Sequence, residues 1–108
     1  MTLRRTIHLS VPTALLLAGL LVSGAQAADL SRATEIVEGK CFICHGVDGE
    51  SSSPVFPRLA GQHATYVQRQ LADYKSGRRK NDTMQSMVND LSDDDMRVLG
   101  QYFEPKPS

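Results

Sequence analysis

Apolar residues fall on a helical period in three stretches of the chain and on no regular period between them. Leu30, Ala33, Val37 and Cys41 recur at spacings of three and four, so the pattern predicts a first helix from about Leu30 to Cys44, with Asp29 or Ser31 able to cap its start. Val67, Leu71 and Tyr74 form a second stripe, predicting a helix from about Ala64 to Lys75 with Gly77 placed just past its end. Met96, Leu99, Tyr102 and Phe103 form a third. Ser92 stands as its N-cap with Asp95 three residues on, a capping-box pattern, and Pro105 stops it.

The intervening segments are of another kind. From Gly46 to Gln62 the chain is crowded with Gly, Ser and Pro, which break any period and predict a long loop. Loops of that length in small domains usually serve function or wrap around something. Residues 78–89 are polar apart from Met84, Met87 and Val88, and read as a second loop or a broken turn. No strand alternation is visible. The expected class is all-α, with about three main helices and two long loops.

The N-terminus follows different rules. Arg4 and Arg5 precede an apolar stretch from Val11 to about Val22, and Ala25-Gln26-Ala27 offers a small-residue cleavage site, so residues 1–27 read as a secretory signal peptide cut before Ala28. The apolar run is shorter than the roughly 20 residues that cross a bilayer. The expectation is export to the periplasm with no stable membrane insertion after cleavage, leaving residues 28–108 as one small domain. Domains of this size bury only about 60% of the surface of the unfolded chain, and often depend on a disulfide, metal or cofactor. The whole chain has 12 basic and 12 acidic side chains. This balance carries no nucleic-acid footprint. Arg78-Arg79-Lys80 and Asp93-Asp94-Asp95 read first as solvated surface.

Chemistry concentrates in Cys41-Phe42-Ile43-Cys44-His45, which uses both cysteines of the chain. Two thiols at this spacing can add across the two vinyl groups of one haem, and the adjoining imidazole can ligate its iron. A thiol redox site is disfavoured because no βαβ pattern surrounds the pair. A structural zinc site lacks ligands, since His63 is the only nearby addition. Covalent haem attachment is the leading reading.

Several further stretches, in order and spacing, resemble the class I c-type cytochromes. They are Cys41-x-x-Cys44-His45-Gly46, Pro57-Arg58-Leu59-Ala60-Gly61-Gln62, Tyr66 with Gln70-Leu71, the Met84 region, and Leu91-Ser92-Asp93 through Tyr102-Phe103. With one haem motif, the chain resembles a monohaem relative of the bacterial periplasmic dihaem group. The resemblance implies one haem c bound through Cys41 and Cys44, with His45 as proximal iron ligand. It also implies that the Pro57 carbonyl accepts a hydrogen bond from the His45 ring and that Leu59 packs on the proximal haem face. Met84 is implied as the sixth ligand ahead of Met87, with Met96 as core filler and His63 capping or facing solvent. Tyr66, Tyr74, Tyr102 and Phe103 are expected as core aromatics, and Ala33 and Val37 against Leu99 and Tyr102. Arg78, Arg79 and Asn81 are equal candidates for a haem propionate.

The resemblance implies a soluble one-electron carrier and no catalytic residues. Its partners would be a periplasmic electron donor and a terminal oxidase or reductase. The alternatives are a cytochrome subunit of a periplasmic dehydrogenase or oxidase complex, and a haem enzyme or gas sensor with an open distal site.

Overall fold

The computed structural model describes residues 10, 19 and 29–108. The expected signal peptide and its cleavage site therefore lie outside the described residues. The rest is helical, with no strand among the described residues, and no described helix is long and apolar enough to cross a membrane.

The first expected helix runs as one continuous path of three parts: α1 (Ser31–Ile36), a π-helical turn (Val37–Cys41) and α2 (Phe42–His45). Asp29 receives the Ser31 N–H at its Oδ1 at 3.0 Å, while Leu30 holds the N-cap position without a side-chain cap. Next come α3 (Ala64–Ser76), α4 (Asp82–Val88) and α5 (Asp93–Phe103). Gly77 closes α3 in the left-handed conformation at φ 77°, the backbone state that favours glycine. Ser92 and Asp95 form the full capping box at the start of α5.

Helix α4 corrects the expectation of a loop or broken turn over residues 78–89. Asn81 takes the N-cap in an extended conformation and its side chain accepts the Met84 N–H at 2.9 Å. Asp82 adds negative charge to the first turn, where the helix dipole favours it. Two turns of mostly polar sequence carry too little apolar period to stand out, so the cap was the informative signal.

Helix α5 is the centre of the packing. Its Met96, Val98, Leu99, Tyr102 and Phe103 are buried with Ala33, Ile36 and Val37 of the first helical path, and Val88 and Leu91 complete the cluster. The pairing of first and last helices expected from Ala33, Val37, Leu99 and Tyr102 is thus present. Fully burying each large side chain contributes about 1.5–3 kcal/mol. Arg32 reaches across to Asp95, Nε to Oδ1 at 3.0 Å, fastening α1 to the α5 cap. On its other side α5 meets α3 at Gly100, where a Cβ would stand 2.3 Å from the Ala64 carbonyl oxygen. Only a residue without a side chain permits that approach.

Of the aromatics expected in the core, Tyr102 and Phe103 are there, in an edge-on pair with centroids 5.0 Å apart. Tyr66 is not: it is exposed, and Tyr74 is half-buried. Both sit on α3 facing a cleft rather than the helix interface.

Candidate functional site

The cleft, about 210 Å³, is lined from both long connections and from α3, α4 and α5. Cys41, His45, Leu59, Leu71, Leu99 and Met84 contribute to its wall, with Pro57 and Phe103 beside them. Every sequence-predicted site residue except Cys44 is on this wall, and Cys44 lies one helical turn along from Cys41.

His45 ends α2, and Gly46 follows at φ 75°, turning the chain out of the helix. The imidazole is 7% exposed, and its Nδ1 donates to the Pro57 carbonyl at 2.8 Å. A carbonyl can only accept, so Nδ1 carries a proton, and in the neutral tautomer that this bond selects the lone pair is on Nε2.

The long loop holds Pro57 in place by folding back on itself. Gly49 O accepts from the N–H groups of both Leu59 (2.8 Å) and Ala60 (3.1 Å). Gly49 is buried at φ 76°, and a Cβ there would meet Ala60 N at 2.7 Å and the Phe103 ring at 2.8 Å. Two bonds moor the loop to α5: Tyr102 OH to Val47 O at 2.6 Å, and Gly61 N–H to Phe103 O at 3.0 Å. Ser52 caps the motif helix, its N–H donating to Cys44 O at 3.0 Å and its hydroxyl lying within reach of the Ile43 and Cys44 carbonyls. Ser52, one of the serines read in sequence only as loop breakers, is therefore a structural partner of the motif.

Both cysteines are free and half-buried. Burial pushes the Cys41 thiol up from its ordinary value, partly offset by Lys40. A thiol held in its neutral form is a poor match for thiol redox exchange, which depends on the thiolate. Among the described residues no group of three His, Cys, Asp or Glu side chains is arranged to hold a metal ion, so zinc finds no cage.

The three methionines among the described residues separate cleanly. Met84 lines the cleft, Met87 is half-buried off its wall, and Met96 is 2% exposed in the core. His63 is exposed beside Glu104 at 3.8 Å and does not line the cleft. The rim also distinguishes the three propionate candidates. Arg79 lies on the cleft, its guanidinium 4.6 Å above the Tyr74 ring and bonded to Gln70 Oε1 at 2.7 Å. Arg78 pairs with Asp73 at 3.8 Å, and Asn81 is occupied as the α4 cap. Arg58 is a rim residue that the motif pattern did not single out.

This donor set fits a haem. An apolar slot carries a nitrogen donor with a fixed tautomer and a thioether on one wall system, thiols at the attachment spacing, and arginines at the rim for acidic substituents. The cytochrome c family profile matches residues 30–104. The chain belongs to the cytochrome c family. Cytochrome c4 of Thiocapsa roseopersicina is 38% identical over 82 residues, covering 76% of this chain and 42% of that protein. Cytochrome c-554(548) of Halomonas halodenitrificans is 38% identical over 68 residues, covering 60% of this chain and 82% of its own length. The solved cytochrome c4 of Acidithiobacillus ferrooxidans superposes with a TM-score of 0.65 at 30% identity, over 77% of this chain and 52% of that one. The chain thus spans about two fifths of the cytochrome c4 relative from Thiocapsa. The fold is the all-α cytochrome c fold, and the family is one of electron carriers that hold haem c.

Proposed function

We propose that this member of the family is a periplasmic one-electron carrier that holds a single haem c between His45 and Met84. The observation that carries the reading is the cleft itself: Cys41, His45 and Met84 all line the one largely apolar slot, with the His45 ring already pinned by the Pro57 carbonyl at 2.8 Å. Bound haem supplies the redox chemistry, a cycle between ferrous and ferric iron.

The residues of the chain do the rest. Cys41 and Cys44 would form the two thioether links, and His45 would ligate through Nε2 because Nδ1 is committed to Pro57. That hydrogen bond raises the basicity of the imidazole. Met84 would supply a soft sulfur that favours the reduced state, and Leu59, Leu71, Leu99 and Phe103 would exclude water and disfavour the extra ferric charge. With His45 and Met84 both engaged as ligands, the chain would leave no donor position for a substrate, which supports electron transfer over a haem enzyme or gas sensor. Arg79 and Arg58 would neutralise the propionates. Phe42 and Ile43, 44% and 64% exposed beside the attachment cysteines, would form a small apolar contact for brief encounters with an electron donor and an oxidase or reductase.

The test is a reduced visible spectrum with pyridine haemochrome and intact mass, on protein matured by periplasmic export. One haem per chain, with the mass increment of a covalent porphyrin and a methionine-to-ferric charge-transfer band, is the expected result. A bare polypeptide mass would end the reading.

A further inference from the structure

Ser51 is the one non-glycine residue with positive φ among the described residues, at 73°. A serine held there is strained, and such residues persist where surrounding contacts over-determine them. Its contacts are specific. The Ser51 N–H donates to the carbonyl of His45 at 2.7 Å. Its hydroxyl proton is shared between the carbonyls of Ser53 and Phe56, both 2.7 Å away. Phe56 directly precedes Pro57, whose carbonyl accepts from the His45 ring. One residue therefore grips the backbone of the histidine and the backbone of the segment that presents the acceptor to it.

We infer that Ser51 is a positioning residue for the His45 imidazole, setting the strength of its Nδ1–H to Pro57 bond and through it the reduction potential. The inference rests on the proposed haem site. The hydroxyl limits how far the loop can drift: without it, the Phe56 carbonyl loses its side-chain donor, and the segment keeps the backbone bonds of Phe56 N–H to Ser53 O at 3.1 Å and of Leu59 and Ala60 to Gly49 O. A looser acceptor leaves the imidazole less basic, so it stabilises ferric iron less. The potential then rises.

The experiment uses holoprotein carrying Ser51→Ala and, separately, Ser51→Gly. Glycine adopts this backbone freely, so S51G removes the hydroxyl while relieving the strain, and it secures folded protein should S51A fail to fold. In each, voltammetry reads the potential and proton NMR reads exchange of the His45 Nδ1–H. The expected result is a shift of about twofold to tenfold toward the reduced form, the upper end being about 59 mV for a one-electron couple, with faster Nδ1–H exchange in both variants. A variant that retains haem with an unchanged potential and exchange rate overturns the inference, even if its stability falls, because Ser51 would then only support the loop. Wild-type protein without haemochrome would instead sink the haem reading and the inference with it, a failure visible before any variant is compared.

Discussion

Replacing Gly100 with alanine sets two physical effects against each other, and the structure decides between them. Alanine is the better helix former by about 1 kcal/mol, so propensity acting alone would make the variant more stable. The new Cβ, however, would stand 2.3 Å from the Ala64 carbonyl oxygen, 2.9 Å from its carbonyl carbon and 3.0 Å from its Cα. These are backbone atoms and cannot rotate away. Ordinary carbon-to-oxygen contacts begin near 3.3 Å, so α3 and α5 must separate by about 1 Å. Forcing extra methyl groups into tight packing costs about 1–3 kcal/mol, and rigid backbone neighbours put this site at the top of that range. Net of the propensity gain, Gly100→Ala should lose about 2 kcal/mol, or roughly 8–16 °C in Tm for a domain of this size. Urea unfolding followed by far-ultraviolet circular dichroism measures the change as a lower midpoint at constant slope. A variant as stable as wild type, or more so, would refute the close helix crossing.

Three other outcomes are expected. Met84→Ala should erase the charge-transfer band of a methionine-ligated ferric haem and lower the potential; an unaltered spectrum transfers the role to Met87. Cys41→Ser should leave one covalent link and cut the yield of folded protein, checked by mass and haemochrome, whereas full recovery of stable protein would deny the cofactor a part in folding. Asp95 is held below its ordinary value of 3.8, first by the Arg32 side chain and then by the Ser92 N–H. Its contribution to stability is accordingly complete above pH 3.8 and fades as pH falls through the lower folded value. Unfolding free energies of Asp95→Asn and wild type should differ by about 1 kcal/mol near neutral pH, and the gap should narrow as pH falls below 3.8; a gap that widens in acid contradicts the sign.

Where the sequence reading succeeded, the signal was carried by neighbours in the chain. The capping box at Ser92 and Asp95, the glycine stop at Gly77 and the stripe through Met96, Leu99 and Phe103 are properties of one or two turns. They marked the helices without knowledge of what packs against them. Asn81 was equally local and was passed over, because the short run after it has too few apolar residues to announce a helix. Tyr66 went wrong for the opposite reason. Helical position cannot say whether a flank faces another helix or an open cleft, and an aromatic suits either.

Cys41-x-x-Cys44-His45 lies within five consecutive residues, so the spacing that the proposed haem attachment needs is set by covalent geometry along one helix end. The cleft is not. Bringing Met84 and Leu71 to the wall that holds His45, aiming the Pro57 carbonyl at the ring, and making Gly100 indispensable all require segments distant in sequence to meet. Those encounters depend on how α5 packs between α1 and α3 and on how Ser51 and Gly49 fold the long loop back. Packing and hydrogen bonding across the chain select among many placements that the local pattern allows equally, which is why the donors could be named from residues while their assembly waited on the fold.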